Sequence, residues 1–318
     1  MRALVAGLAL LATAPAFAQT TPAIPRAPAG HPDFTGNWAT RIMTPMERPD
    51  GVADLVVPHD KEAEMIEKIR PKIGEVFDPE FSYAGFTDNL LEINGELRSS
   101  LIVEPADGRL PLTSLAKAIL DNYKASFDDP ELRPANERCI GGMVQAPIGA
   151  TSFVIPFQMM QTPQHVVIAA EDMEPVRVIA LTGAAPPDAM RSRTGYSHGH
   201  WDGDTLVVET DHFGFPDHEG MIFHGETPVT ADSRVIERFR LLSTNEMLYQ
   251  FTIEDPSLYK TPWLAEYTLQ RTPRGIYEYA CHEGNHAIIG ILTAARMGRQ
   301  EEKPKAPDPA SSASAPKP

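Results

Sequence analysis

The chain has 318 residues, 42% of them hydrophobic and 22% charged, with a formal net charge of −15 and a pI near 5.1. So acidic a surface is poorly suited to nucleic acid or to anionic membranes, which leaves small molecules and proteins as partners. No stretch reaches the roughly 18 consecutive apolar residues that a membrane-spanning helix needs, so no membrane span is expected.

Residues 1–18, MRALVAGLALLATAPAFA, set Arg2 before a short apolar run and Ala16-Phe17-Ala18 after it. That is the layout of a secretory signal peptide and predicts cleavage after Ala18, giving a periplasmic or secreted protein; a retained N-terminal anchor is the alternative. Residues 19–30, rich in Pro and Ala, read as an extended linker. Residues 300–318 carry no large apolar side chain and read as a disordered tail. Between them, residues 31–299 form a single β-rich domain with helical insertions.

Within that span Phe34-Thr35-Gly36-Asn37-Trp38 marks a first strand and resembles the G-x-W strand that opens lipocalin-like barrels. Residues 60–72 place Ala63, Met65, Ile66 and Ile69 among charges, as on a surface helix. A second helix is predicted over 112–127, with Leu115, Ile119, Leu120 and Tyr123 at helical spacing and Thr113 or Ser114 as its cap. From Thr151 the pattern turns to β. Branched and aromatic runs recur at Phe153–Met160, His165–Ala170, Val176–Leu181, Thr205–Thr210, Arg234–Leu241, Met247–Ile253, Leu264–Gln270 and Ile276–Cys281. Turn clusters separate these runs and no helices fit between them, so the expected fold is mainly β: an antiparallel, lipocalin-like barrel or sandwich with a few peripheral helices. A last helix is predicted over 286–297.

The stretch Tyr196-Ser-His-Gly-His-Trp-Asp-Gly-Asp-Thr-Leu-Val-Val-Glu209 carries an Asp202-Gly203 hairpin signal, expected as a type I′ turn. Pairing Trp201 with Asp204 would put Tyr196, His198, His200, Thr205, Val207 and Glu209 on one face. Two imidazoles and a carboxylate on one face suit a divalent metal, with His198 and His200 as its ligands, or proton transfer; equally they suit a solvated hairpin face. Seven of the ten histidines lie between positions 198 and 286. A second polar cluster, Asp211-His212-Phe213 to Glu219 with Phe223-His224-Gly225-Glu226, reads as a pocket lining or as a surface loop.

The two cysteines, Cys139 and Cys281, are expected to form a disulfide in an oxidising compartment. Such a long loop is worth roughly 4–5 kcal/mol in the chain-entropy description. His282-Glu283-Gly284-Asn285-His286 spells the zinc-protease pattern H-E-x-x-H, which requires both histidines on one helical face. Here a strand-like run delivers the chain into the motif, and Gly284-Asn285 reads as a turn with Asn285 capping a helix from His286. A metalloprotease is therefore not expected.

The runs Gly195-Tyr-Ser-His-Gly-His-Trp-Asp-Gly-Asp-Thr-Leu-Val-Val-Glu-Thr210, Glu237-Arg238-Phe-Arg240, Thr252-Ile-Glu-Asp-Pro256, Thr261-Pro-Trp263 and Glu278-Tyr-Ala-Cys-His-Glu-Gly-Asn285 resemble a large family of secreted, mostly uncharacterised bacterial proteins. Its pattern reads G-[HY]-S-x-G-x-W-[ED]-G-D-T-L-V-V and ends in E-Y-x-C-x-E-x-N, and the resemblance covers roughly Cys139 to Arg296. It implies an exported β-rich protein, names no reaction, and draws attention to Glu278, His282, Glu283 and Asn285 as a polar cluster.

Together these readings suggest an exported enzyme performing lyase or isomerase chemistry on a small, largely apolar molecule. Glu278 or Glu209 would be the base, with Glu278 turned toward an apolar interior on the strand Ile276–Cys281 or else ion-paired to Arg238 or Arg240. His198, His200 or His224 would be the proton partner and Arg238 the anion stabiliser, with His282 and Glu283 beside them. No G-x-S-x-G elbow, dinucleotide fingerprint or P-loop occurs, so no organic cofactor is expected, while a divalent metal stays open. The alternatives are a non-catalytic lipocalin-like binding protein and a metal enzyme built on His198 and His200. Nothing in the sequence fixes an oligomeric state.

Overall fold

The computed structural model describes residues 23–40, 42–74, 89–125, 139, 145–150, 156–171, 176–214, 221–223 and 227–301. The signal-like segment 1–18, positions 302–318 of the expected tail, and His224 lie outside the described residues.

In chain order the elements are β1 (Gly36–Ala39), β2 (Val56–Val57), α1 (Glu62–Gly74), β3 (Glu92–Ile93), β4 (Glu96–Arg98), β5 (Ile102–Glu104), α2 (Ser114–Ala125), β6 (Phe157–Gln161), β7 (His165–Ala170), β8 (Arg177–Ala180), β9 (Tyr196–Asp202), β10 (Thr205–Asp211), β11 (Met221–Phe223), β12 (Thr227–Val229), β13 (Arg234–Leu241), β14 (Glu246–Glu254), β15 (Trp263–Arg271), α3 (Cys281–Gly284) and α4 (Ala287–Glu301). Nine of the strands close a barrel in the order β1-β6-β7-β8-β9-β10-β13-β14-β15, the last returning to β1 through Trp38↔Arg271. Every pairing in the ring is antiparallel except β8–β9, where Ile179 meets Ser197 in parallel. β5 adds to the outer end of β15. The expected barrel is thus the observed one, and full closure removes the unpaired strand edges that an open sheet would expose.

Alternation decides what fills the barrel. In β13, Val235, Glu237, Phe239 and Leu241 are buried while their neighbours are partly or fully exposed. The same rule sends Met247, Tyr249, Phe251 and Ile253 of β14 inward, with Trp263, Ala265, Tyr267 and Leu269 of β15 beside them. Their rings pack at offset angles, with centroids 5.0 Å apart for Phe239–Tyr249 and for Tyr249–Tyr267, and 5.3 Å for Phe251–Trp263.

Both ends of the barrel are covered. At one end the N-terminal segment crosses the β9–β10 hairpin: His31 stacks on Trp201 with centroids 4.6 Å apart, and Arg26 Nη2 donates to Asp204 Oδ2 at 2.8 Å. Trp38 Nε1 donates to the Phe34 carbonyl at 2.9 Å, and the Arg271 guanidinium lies 4.4 Å over the Trp38 ring. At the other end α2 buries Ala116 and Leu120, and Thr113 Oγ1 accepts from the Ala116 amide at 3.2 Å as the helix cap. Leu115, expected on the buried face, is 54% exposed; Ala116 takes its place. α1 packs Ile69, Met65 and Ile66 against Val57, Leu90 and Leu97 of the small β2-β4-β3 sheet and its flank.

Two expectations change. Residues 272–280 form no strand, so Ile276–Cys281 is not a barrel element. α4 starts at Ala287 and runs to Glu301, taking in the first two positions of the expected tail. Cys139 and Cys281 are bridged. Among the described residues no helix is long and apolar enough to cross a membrane.

Asp255 ties together the end that α2 covers, where Thr113 bonds to Ser257 and Leu258. Its carboxylate accepts from Thr230 Oγ1 at 2.7 Å, Ser233 Oγ at 2.7 Å, Ser257 Oγ at 2.6 Å and the Ser257 amide at 2.9 Å. Burial pushes its pKa up, but the hydroxyls of Ser257, Ser233 and Thr230 outweigh burial and hold it below the ordinary carboxylate value. A depressed folded pKa gives stability that is present above the unfolded value, near pH 4, and lost as pH falls through the folded one. Asp255→Asn should therefore cost about 1–3 kcal/mol at pH 7. The gap to wild type in urea midpoint should narrow when both are measured at about pH 3.

Candidate functional site

The β9–β10 hairpin turns through Gly203 and Asp204, with Gly203 at φ +60° in the first loop position, where a type II′ turn requires glycine. Trp201 pairs with Leu206 instead of Asp204, a shift of two residues that leaves the faces as expected. Tyr196, His198, His200, Val207 and Glu209 share one face, and it is the outer one. Ser197, Gly199, Leu206, Val208 and Thr210 are buried on the other. Gly199 lies where a Cβ would come within 3.0 Å of Ile179 and 3.2 Å of the Val207 carbonyl, so the hairpin packs closely on β8.

The hairpin candidates enter a charge ladder on the outside of the barrel. Glu209 is opposite His198, with His198 Nε2 3.9 Å from its carboxylate. Arg234 clasps Glu209 and donates to Glu254 at 3.0 Å, and hydrogen bonding to Glu209 raises the Arg234 pKa against the pull of burial. His200 is exposed opposite Val207. Arg238 donates to Asp202 at 3.0 Å. Among the described residues no three His, Cys, Asp or Glu side chains are grouped to hold a metal. His198 and His200 supply two imidazoles, and the nearest carboxylate, Glu209, is engaged by Arg234.

Glu278 is exposed on the irregular segment before the disulfide and faces no apolar interior, because the strand that would have turned it inward does not form. His282 and Glu283 are exposed on the single turn α3, and His286 lies between α3 and α4. The two histidines of H-E-x-x-H are therefore on different elements, as the zinc-protease geometry forbids. Asn285 Nδ2 lies 3.3 Å from Cys139 Sγ, so this cluster packs on the disulfide.

Two other places carry more chemistry. At the rim, His212 follows β10 with φ +55°, a left-handed conformation that costs a non-glycine residue about 1–3 kcal/mol. Its Nδ1 is hydrogen-bonded to the Asp211 carboxylate. Its buried Nε2 makes no hydrogen bond among the described residues, although the exposed Asp188 carboxylate lies 3.5 Å away. Tyr196 presents its ring edge-on to His212 at 6.3 Å and stacks against His198 at 6.0 Å.

Inside the barrel lies a polar network. Arg177 on β8 is 2% exposed and Glu237 on β13 is fully buried. The guanidinium donates to both oxygens of Glu237, to Ser197 Oγ at 3.1 Å and to Thr210 Oγ1 at 3.0 Å. Burial opposes the Arg177 charge, but Glu237 outweighs it and holds the guanidinium protonated. Tyr249 donates to Glu237 Oε1 at 2.7 Å and accepts the Ile148 amide at 2.8 Å; Tyr267 donates to the Ile148 carbonyl at 2.5 Å. Burial first, and Glu237 next, push both tyrosines well above their ordinary range, so both hydroxyls stay neutral. The segment 145–150 reaches into the lumen with Ala146 and Ile148 buried in the core.

Comparison with models of protein families, with curated proteins and with solved structures gives no match. The site therefore stands on its own geometry.

Arg177, Tyr249 and Tyr267 are not among the candidate residues, and Thr210 and Glu237 enter only through their motif runs. A signal for them exists: Glu237 stands at an inward position between Val235 and Phe239, and Arg177 opens an apolar strand. An ionised residue on the buried face of a strand demands a partner across the lumen. Glu237→Gln should leave Arg177 buried without its counter-charge and destabilise the fold by about 3–5 kcal/mol in denaturant titrations. Arg177→Met combined with Glu237→Leu should recover most of that loss.

Proposed function

We propose that the protein is an exported, lipocalin-like carrier that takes a small, largely apolar molecule into its barrel. One observation carries this reading: the aromatic lumen presents two neutral hydroxyls, Tyr249 and Tyr267, and these hold groups from a segment that belongs to no strand of the ring. An apolar cavity wall with a few placed polar groups is the usual design of a small-molecule site. The bridged Cys139 and Cys281 support an oxidising compartment, in keeping with the signal-like N-terminus.

A second reading, acid–base catalysis of the lyase or isomerase type, is favoured by His212. Asp211 engages Nδ1, which leaves Nε2 as the nitrogen that would serve as general base, at a strained backbone position. In this reading the exposed Asp188 would have to yield to the substrate.

An environment-sensitive apolar dye should bind with saturation at one molecule per chain. Ala265→Phe, which crowds the lumen at a fully buried position, should weaken that binding by roughly tenfold or more in protein that keeps a cooperative unfolding transition. Dye binding that ignores Ala265→Phe would remove the lumen as the site. For the catalytic reading, wild type should exchange deuterium into the acidic C–H of an aryl ketone in D2O and His212→Gln should not; exchange at the buffer rate with wild type ends that reading.

A further inference from the structure

The lumen is already occupied by the chain itself, and the way it is held specifies a ligand. Glu237 is clamped by Arg177 and only accepts hydrogen bonds, so the Tyr249 hydroxyl must give it its proton. Tyr249 then turns a lone pair toward the lumen and takes the Ile148 N–H. Tyr267, whose oxygen carries its own proton, gives that proton to the Ile148 carbonyl. The two hydroxyls thus read a donor and an acceptor on one residue, an N–H and a C=O separated by a single tetrahedral carbon. The side chain on that carbon is aliphatic and 2% exposed.

None of the strand pairings that close the barrel includes residues 145–150. Between described residues, the backbone groups of this segment make no hydrogen bond to other backbone outside helices and strands. Withdrawing it would therefore break no barrel pairing.

We propose that Gln145–Ala150 is an internal ligand, and that the barrel's external ligand is an N-acylated aliphatic amino acid or short apolar peptide that displaces Ile148 from Tyr249 and Tyr267. This rests on the carrier reading of the lumen and names the chemistry the lumen selects. The segment competes with the external ligand, so apparent affinity falls by the fraction of molecules in which it is seated. Weakening its hold must tighten ligand binding, the opposite of what damage to a binding site does.

The test uses the full mature chain and two probes: N-acetyl-isoleucine N-methylamide, and its depsipeptide analogue with an ester oxygen replacing the isoleucine N–H. Wild type should bind the amide, and the ring resonances of Tyr249 and Tyr267 should shift on titration. The ester oxygen would face the Tyr249 lone pair, so the analogue should bind roughly tenfold more weakly. Ile148→Gly removes the buried side chain of the segment and should tighten amide binding by roughly tenfold. Should that variant fail to fold, the amide-to-ester ratio and the tyrosine shifts in wild type carry the decision. Equal binding of amide and ester, or an amide that moves neither tyrosine, overturns the proposal. If the apolar dye still binds in the lumen and the amide does not displace it, the ligand class falls and the carrier reading stands. If the dye too is insensitive to Ala265→Phe, both fall together.

Discussion

Arg177 and Glu237 are 60 residues apart in sequence and meet inside the barrel with almost no contact with solvent. Around this pair the rest of the interior is arranged. Arg177 draws in Ser197 of β9 and Thr210 of β10; Glu237 draws in Tyr249 of β14, which hands the network on to segment 145–150 and so to Tyr267 of β15. The network built on this charge pair thus joins side chains from six of the nine strands. A buried ion pair is weak evidence for stability, because a matched apolar pair would do as well or better. What this one supplies is direction: Glu237 takes the Tyr249 hydroxyl proton, so Tyr249 accepts from the Ile148 amide.

Much of the β architecture was legible in the sequence, and the reason is periodicity. His165–Ala170 and Arg234–Leu241 read directly as β7 and β13, because short runs rich in branched and aromatic residues between turn clusters fit strands. The hairpin faces were legible too, since a two-residue slip preserves them. Which face looked inward was not. Both faces of β9–β10 mix polar and apolar side chains, and Val207 on the outer face is itself buried. The histidines therefore read as site residues when they stand on the outer wall. Glu278 is placed differently for another reason: alternation in Ile276–Cys281 mimics a strand, but β15 already pairs with β1 and β14, and residues 272–280 form no strand.

The residues that give the hairpin its distinctive sequence are largely accounted for by building work. Trp201 receives His31 and Phe34, Gly203 makes the turn, Asp204 receives Arg26, and Leu206 and Val208 fill the interior. A short run that serves the turn, the core and the docking of the N-terminal segment at once tolerates few alternatives. Its density of histidine and carboxylate is no evidence of chemistry at that place. The chemistry-bearing geometry is next door, at Asp211 and His212, and inside, where the sequence offers only single residues at inward positions.

Nine is an odd number, and a closed ring of alternating directions can only have an even count. A barrel of nine strands must contain at least one junction at which neighbours run the same way, and here it is β8–β9. Two strands running alike cannot be joined by a tight turn; the chain must travel back to the end from which it came. The return path is residues 181–195, and on it sits Asp188, the carboxylate that leans toward His212. The parity of the ring thus obliges the fold to carry a long connection between β8 and β9, and that connection places a carboxylate beside His212, whose backbone is left-handed.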